Sequence, residues 1–341
     1  MLSQPLAVGH TAPVVWMFSG QGAQYFQMGR ELYAQHAVFR SWMDRLDLVA
    51  TDYVGESVVA WLYDDAHGKG QICAQILYTH PALFMVQYAL AQTLLVEGVA
   101  APDLLFGASL GEFVAAALAG VATPEALLFD LIRQARLFDA HCSGGAMLVV
   151  IDALERFHGN SVFAGGCELA GVYFDRCFVV AGEQRKLRAI ANTLSQQGIT
   201  HQMLPTSIAF HSSHIDGLQQ IFGQLFAGSA HAPARIPVMS CAVPDPQAGH
   251  ERFSSAYWWQ VIRQPIQFRQ ALAELELHYP QALYIDSGPS GNMATFAKYN
   301  LPPLAHARIM TAMTPYGNDV DNIPALRRKL HSLRPTLVET P

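Results

Sequence analysis

The stretch 104–113, LLFGASLGEF, places a serine flanked by glycines between a short apolar run and the start of a helix. The apolar run has the composition of a buried strand, and small and apolar residues after Glu112 predict a helix. G-x-S-x-G between strand and helix is the nucleophile elbow, which projects the serine Oγ above the sheet edge. The N–H groups at the start of that helix suit an oxyanion. This context favours a nucleophile over an ordinary buried turn, so we predict an α/β protein in which Ser109 forms an acyl-enzyme.

The composition indicates a globular protein with a large core. Of the 341 residues, 51% are hydrophobic and 14% are charged, and the formal net charge is −6. This length allows one large domain, or a large and a small one. An acidic chain gives no reason to expect a nucleic acid as a partner. The apolar stretch from Pro81 to Leu95 is interrupted by two glutamines and is too short to span a bilayer, so we expect no membrane partner.

The cysteines and histidines predict a cytoplasmic protein without a metal site. The five cysteines are scattered and never form a C-x-x-C pair, which fits reduced thiols in a cytoplasmic protein. The fourteen histidines are dispersed as well. His211 and His214 lie three residues apart, but no cysteine or acidic cluster accompanies them, so we expect no metal site.

Helical and strand patterns predict a small unit inserted in a larger one. Helical spacing predicts helices over about 25–47 and from Pro124, which suits a first helical turn. Four strand-like runs follow, at 146–151, 167–174, 177–181 and 201–208. They indicate a small β-rich unit over 144–207. The flanking segments, 1–143 and 208–341, have the pattern of a single large α/β unit.

Two further segments could complete a site around the serine. His211 follows a predicted strand, at a loop position where functional residues concentrate. The order of serine before histidine matches the elbow type of hydrolase, although spacing alone equally fits a structural histidine. The glycine-rich segment 19–22, SGQG, could present backbone N–H groups to an oxyanion, or it could simply form a tight turn.

Six motifs occur in order along nearly the whole chain. They are FSGQGAQ (18–24), THPALF (79–84), GASLGE (107–112) followed by GAM (145–147), AFHS (209–212), YW (257–258) with PIQF (265–268), and GP (288–289). Together they resemble the malonyl-CoA:acyl carrier protein transacylase family, the acyltransferases of fatty acid and polyketide synthesis. The resemblance implies an α/β-hydrolase-like large subdomain with an inserted ferredoxin-like small subdomain.

The resemblance also implies roles for individual residues. Ser109 would take the acyl group from a thioester, with His211 as general base and then general acid. The backbone N–H groups of Gln21 and Leu110 would form the oxyanion hole. In this family a main-chain carbonyl orients the histidine, and the matching position lies close to Val261.

Because a main-chain carbonyl orients the histidine in this family, the resemblance makes a carboxylate triad member such as Asp216 unnecessary. The resemblance implies no cofactor beyond the phosphopantetheine that carries the substrate as a thioester. The implied partner is an acyl carrier protein, with acyl-CoA as a further acyl source.

One departure from the family pattern concerns the acyl group. Malonyl-using members carry an arginine on the helix after the elbow, where it pairs with the free carboxylate of malonate. An ungapped alignment places Gln134 at that position. Arg133 and Arg136 flank it, but such offsets rotate a side chain by roughly 100–200° around a helix. A slip in the alignment would restore one of these arginines, so both alternatives stay open.

Two further departures lie close to the serine. Ala108 stands where the family usually has histidine, and His80 stands where glutamine is usual. Together with Gln134 and Phe210, they form the predicted substrate pocket. A neutral pocket would leave a malonyl carboxylate unpaired, at a cost of several kcal/mol.

The glutamine resembles one branch of the family, the trans-acting acyl hydrolases of polyketide pathways that lack built-in acyltransferase domains. Those proteins clear short acyl groups, such as acetyl, from stalled carriers, and we expect the same reaction here. The alternatives are an acyltransferase that loads a malonyl or uncarboxylated group from CoA, a non-catalytic carrier-docking protein, and a plain lipase or esterase. Candidate cations for carrier docking are Arg185, Lys186, Arg188, Arg327, Arg328 and Lys329.

Overall fold

The computed structural model describes residues 12–159, 161–245 and 253–334. The strands are β1 (Val14–Phe18), β2 (Leu104–Gly107), β3 (Gly145–Ile151), β4 (Glu168–Phe174), β5 (Cys177–Glu183), β6 (Thr200–Met203), β7 (Val238–Ser240), β8 (Ile266–Gln267), β9 (Leu283–Asp286) and β10 (Ile309–Thr311). The helices are α1 (Arg30–Gln35), α2 (Ala37–Val54), α3 (Val58–Leu62), α4 (Ile76–Val96), α5 (Gly111–Leu118), α6 (Pro124–His141), α7 (Glu155–Gly159), α8 (Gln184–Gln196), α9 (Gln219–Phe226), α10 (Ser255–Arg263), α11 (Phe268–His278), α12 (Asn292–Asn300) and α13 (Asp319–Leu333). Two 3₁₀ turns span Ser213–Leu218 and Pro303–Arg308.

The first sheet is parallel and carries the predicted elbow. Its strand order is β10-β9-β1-β2-β7, and every neighbouring pair is parallel. The carboxyl ends of β1 and β2 therefore meet at one edge. Those ends lead into the glycine-rich segment and the serine elbow, which the fold brings side by side. Ligand sites of open parallel sheets form beyond this edge.

The second sheet forms a ferredoxin-like unit, as the resemblance implied. The order β6-β3-β5-β4 is antiparallel throughout, and α7 and α8 connect its strands in a βαββαβ sequence. These four strands lie within 145–203, inside the predicted small unit. One strand comes from outside it, because β8 pairs in parallel with β4 through Ile266 opposite Gly171. The α/β fold with two subdomains is thus confirmed.

The two faces of β3 contact different parts of the protein. Ala146, Leu148 and Val150 pack in a core cluster with Leu187, Ile190 and Leu194 of α8. Because side chains alternate along a strand, the residues between them point to the opposite face. That face lines a cavity next to the serine elbow.

The predicted helix over about 25–47 was wrong in its bounds. The chain instead forms α1 and α2, which are separated at His36, whose backbone is extended with φ −111° and ψ 112°. Before α1, Gln27 and Gly29 both have positive φ, which a continuous helix does not allow. The apolar residues therefore keep a helical spacing across a turn, and this spacing alone did not reveal the turn.

Two other boundary predictions had different outcomes. The helix predicted to begin at Pro124 is confirmed, and the Thr123 hydroxyl caps it by accepting from the Ala126 N–H at 3.2 Å. The strand predicted over 201–208 ends at Met203. Pro205 follows shortly afterwards and has no N–H to continue a ladder. No helix among the described residues is long and apolar enough to cross a membrane.

The ends of β1 and β2 are joined backbone to backbone. The N–H of Ala108 donates to the Phe18 carbonyl at 3.0 Å. A Cβ on Gly111 would lie 2.1 Å from the same oxygen, so only glycine fits at this position. The elbow is therefore in direct main-chain contact with the end of β1, where the glycine-rich segment begins.

A buried carboxylate fixes the helix that follows the elbow. Glu112 is fully buried and accepts from the Ser240 hydroxyl at 2.8 Å and from the Tyr257 hydroxyl. These bonds connect α5 to β7 and α10. A buried carboxylate that is hydrogen-bonded in this way orients the elements that surround it.

We predict that Gly111→Ala destabilises the protein, because the added methyl overlaps the Phe18 carbonyl. Overpacking of this kind costs about 3 kcal/mol of unfolding free energy. Gly223→Ala in α9 is the matched control, since nothing lies within 4 Å of its added Cβ. It should leave stability unchanged or raise it by up to about 1 kcal/mol. Urea unfolding measures both, and equal stability of the two variants would contradict the assigned contact.

Candidate active site

Ser109 occupies the strained turn expected of an elbow. Its φ is +53°, a left-handed value that residues other than glycine rarely adopt. Strain of this kind persists where the surroundings enforce it, and it concentrates at functional sites. Ser109 Oγ lies 3.0 Å from His211 Nε2. The predicted nucleophile and the predicted base are therefore in hydrogen-bond contact.

His211 is held by the carboxyl end of α10. Its backbone N–H donates to the Ile262 carbonyl at 3.0 Å, and its φ of +59° is again left-handed. Its Nδ1 lies 2.8 Å from the Gln264 carbonyl. Nδ1 therefore carries the proton and donates it, which leaves the Nε2 lone pair for the serine.

The prediction that the Val261 carbonyl orients the histidine was wrong. Val261 lies inside α10, where carbonyl groups are directed along the helix toward the next turn. The helix ends at Arg263, and Gln264 is extended with ψ 148°, which turns its carbonyl toward His211. Pro265 provided a signal in the sequence, because the residue before proline favours the extended conformation.

The imidazole of His211 is neutral near pH 7. Burial lowers the pKa of His211 to about 4; the Gln264 carbonyl opposes this shift, and the positive charge of Arg263 adds to it. Asp216 is not the third member of a triad. It pairs with Arg263, at 3.3 Å from one guanidinium nitrogen.

The backbone N–H groups of Gln21 and Leu110 are the predicted oxyanion donors. The backbone of Gly20 packs on the elbow, since a Cβ there would be 2.7 Å from the Ala108 carbonyl and 3.5 Å from the Leu110 nitrogen. Among the described residues, the backbone N–H groups of Gln21 and Leu110 have no hydrogen-bond acceptor. Both are therefore available to an oxyanion that forms above Ser109.

A cavity of about 720 Å³ opens between the two sheets at this point. Its lining includes Ser109, His211, Gln21, Ala108 and Phe210. The predicted pocket residues Ala108 and Phe210 thus belong to it. The opposite wall is mainly apolar and was missed by the sequence interpretation; it includes Met147, Val149, Ile151, Tyr173, Phe174, Met293, Phe296 and Tyr299.

His80 and Gln134 lie behind the cavity wall, contrary to the prediction that they line the pocket. His80 is buried, and its Nε2 lies 3.3 Å from the side-chain oxygen of Gln21. Burial lowers the pKa of His80 to about 4, so its ring is neutral. Gln134 is also buried, and its side-chain oxygen has no partner among the described residues. Gln134 precedes Phe138 by one helical turn, and Phe138 packs on Phe210 with ring centroids 5.2 Å apart.

The alternative arginines face away from the cavity. Arg133 pairs with Asp130 at 3.4 Å and stacks over Phe129. Arg136 donates to the Tyr53 carbonyl. Neither lines the cavity, whose described lining contains one cation of the Lys and Arg type, Arg176.

Comparisons with known proteins show the family and the fold of this chain. The model of the acyl transferase domain family matches residues 15–334. The polyketide biosynthesis acyltransferase homolog BaeD of Bacillus velezensis is 36% identical over 94% of this chain and 97% of its own length. The homolog PksD of Bacillus subtilis is 34% identical over 91% and 94%. A malonyl-transacylase solved in complex with a type II polyketide synthase acyl-carrier protein has the same fold, with a TM-score of 0.77, 18% identity, and coverage of 93% and 99%.

The lowered pKa of His211 predicts the pH dependence of acylation. The imidazole accepts a proton only when neutral, so acylation of Ser109 should be constant above pH 5 and fall as the pH drops through about 4. The kcat/KM for p-nitrophenyl acetate measures this profile, with circular dichroism to confirm folding at each pH. An inflection near 6.5, the value of an ordinary histidine, would contradict the burial argument.

Because the Gln264 carbonyl, and not a carboxylate, orients His211, we predict that Asp216→Asn changes the activity little. We expect the rate of ester hydrolysis to stay within about threefold of wild type, whereas loss of a triad carboxylate costs about 10⁴-fold. His211→Ala, which removes the base itself, is the reference variant. A loss for Asp216→Asn close to that of His211→Ala would show that the carboxylate acts on the imidazole.

Proposed function

This chain belongs to the acyl transferase domain family, and on that basis we propose that it is an acyl hydrolase of polyketide biosynthesis. It removes short uncarboxylated acyl groups, such as acetyl, from the phosphopantetheine thioesters of acyl carrier proteins. The curated relatives BaeD and PksD, named for polyketide biosynthesis, support the pathway class. The protein acts in trans, in the cytoplasm, and uses no cofactor apart from the phosphopantetheine of its substrate.

The proposed reaction begins with proton transfer from Ser109 Oγ to His211 Nε2. The serine oxygen attacks the thioester carbonyl, and the backbone N–H groups of Gln21 and Leu110 stabilise the oxyanion. Collapse of this intermediate breaks the carbon–sulfur bond, and the carrier thiolate takes the proton from His211. An acetyl ester remains on Ser109.

Water then completes the cycle. His211 Nε2 accepts a proton from water, the resulting hydroxide attacks the ester, and a second oxyanion forms at the same donors. Its collapse releases acetic acid and returns the proton to Ser109 Oγ. The Gln264 carbonyl keeps the imidazole in the tautomer that both steps need.

The observation that carries the choice of acyl group is that the described cavity lining holds no lysine or arginine beside Ser109, since its one such residue, Arg176, lies at the far end of β3. Arg133 and Arg136 are paired elsewhere, and Gln134 is neutral and buried. A malonyl carboxylate bound beside Ser109 would lose its hydration without gaining a cation, which costs several kcal/mol. Acetyl has no such charge and therefore no such penalty.

Transfer of the acyl group to another carrier is the second candidate function. The names of BaeD and PksD, polyketide biosynthesis acyltransferase homologs, favour it. The two reactions share the acyl-enzyme and differ only in whether water or a thiol attacks the ester. A direct competition between the two acceptors therefore distinguishes them.

We predict that acetyl is lost from an acetyl-loaded carrier in the presence of a second, unloaded carrier. Mass spectrometry of both carriers should show free phosphopantetheine on the first and no acetyl on the second. Ser109→Ala should abolish the loss. Appearance of acetyl on the second carrier would indicate transfer, and rapid removal or transfer of malonyl would contradict the neutral-pocket argument.

A variant of Gln134 tests the same argument from the opposite direction. Gln134 lies behind the wall, but arginine is longer than glutamine. If the guanidinium of Gln134→Arg extends into the cavity, malonyl acylation of Ser109 from malonyl-CoA should rise by at least about tenfold relative to Gln134→Leu. The thermal unfolding midpoint of both variants controls for damage to the core. Equal malonyl acylation of the two variants would show that position 134 does not govern the choice.

A further inference from the structure

One wall of the cavity follows β3, on the face of the small sheet that α8 does not cover. Met147, Val149 and Ile151 are alternate residues of β3, and all three line it. The Gly145 end of β3 adjoins the catalytic loop, since its N–H donates to the Ser207 carbonyl at 2.9 Å. The groove along this wall therefore starts near the loop that leads to His211, and its β3 lining residues from Met147 to Ile151 extend for about 13 Å, the rise of four strand residues.

An arginine stands at the far end of this groove. The register of β3 and β5 pairs Val150 with Phe178, which places Cys177 beside Ile151 and Arg176 just beyond it. Arg176 lies in the turn between β4 and β5, lines the cavity, and has a side chain that is 69% exposed. Among the described lining residues, it is the only lysine or arginine.

The positive charge of Arg176 is poorly neutralised by the protein. The nearest carboxylate, Asp152, is 3.8 Å away, and the same oxygen accepts from the Ala153 N–H at 2.8 Å. The other oxygen of Asp152 pairs with Arg156. Asp175, the neighbour of Arg176, also lines the cavity, and its carboxylate pairs with Arg269 at 2.7 Å. Arg176 therefore retains donors for an anion at the cavity mouth.

Between Ser109 and Arg176 the groove suits a long, uncharged chain. Aromatic pairs connect the small sheet to α12: Tyr173 lies 4.4 Å from Phe296, and Phe174 lies 4.4 Å from Tyr299, between ring centroids. A phosphopantetheine arm has about thirteen bonds between phosphorus and sulfur, and when extended it spans about 15 Å. This length is similar to that of the groove wall formed by β3.

We propose that Arg176 binds the phosphate of the phosphopantetheine arm, while the neutral part of the arm lies along the groove to Ser109. This assignment rests on the proposed function, which supplies the phosphopantetheine thioester. It also differs from the docking cations considered from the sequence. Arg185, Lys186 and Arg188 lie on α8, on the other face of the small sheet. Arg327 contacts the Glu97 carbonyl, ahead of the amino end of β2 and away from the serine edge.

Binding of two ligands that differ only in the phosphate tests the assignment. Calorimetric titration of the full chain with 4′-phosphopantetheine and with pantetheine gives the two dissociation constants. We expect wild type to prefer the phosphorylated ligand by about tenfold, and Arg176→Gln to bind both equally. Arg188→Gln, which removes an exposed arginine from the opposite face, should keep the wild-type preference.

Three results would overturn the proposal: no preference in wild type, a preference that survives in Arg176→Gln, or an equal loss of preference in Arg188→Gln. Because the ligands carry no acyl group, binding is independent of the hydrolase reaction. A phosphate preference that depends on Arg176, without loss of acetyl from carriers, would refute the hydrolase function alone. Hydrolysis of acetyl-carrier without any phosphate preference would refute the Arg176 site alone.

Discussion

The close contact between the ends of β1 and β2 is the constraint on which the rest of the site depends. The Phe18 carbonyl accepts from the Ala108 N–H, and the α-carbon of Gly111 lies against the same oxygen. This contact sets the distance between two loops that contribute different groups to one reaction. The elbow supplies the serine and one N–H donor, and the glycine-rich segment supplies the other donor. Buried Glu112 then fixes the helix that follows by its bonds to β7 and α10.

The histidine is controlled by a helix end instead of a carboxylate. The Ile262 carbonyl in the last turn of α10 accepts from the backbone N–H of His211, and the Gln264 carbonyl, just beyond the helix, accepts from Nδ1–H of its ring. Each carbonyl oxygen carries only a partial negative charge. A partial charge fixes the tautomer but does little to raise the pKa of a buried imidazole, so the ring stays neutral at physiological pH. A full carboxylate would favour the protonated ring more strongly, and the structure directs Asp216 to Arg263 instead.

Much of the fold followed from local patterns, and the errors have identifiable causes. The elbow and the inserted β-rich unit were predictable because strand alternation and glycine positions are local signals. The helix over 25–47 was misjudged because its apolar period continues through the left-handed backbone at Gln27 and Gly29. Side chains that approach through long-range packing gave no signal either. Arg176 is one of them, because its place at the cavity required the register of β3 and β5. The Gln264 carbonyl had a local signal in Pro265, but assigning it also required the exact end of α10.

Strand β8 has a mechanical consequence for this enzyme class. Only Pro265 separates the Gln264 carbonyl from the two residues that pair with β4 of the small sheet. The chain that holds the imidazole is therefore also an edge strand of the opposite wall of the cavity. If the small sheet moves to widen the groove, it pulls on the same peptide that sets the tilt of the His211 ring. A single movement of β8 would therefore change both the width of the groove and the alignment of His211 with Ser109. A sequence change that alters the groove width through β8 also alters the alignment of the base.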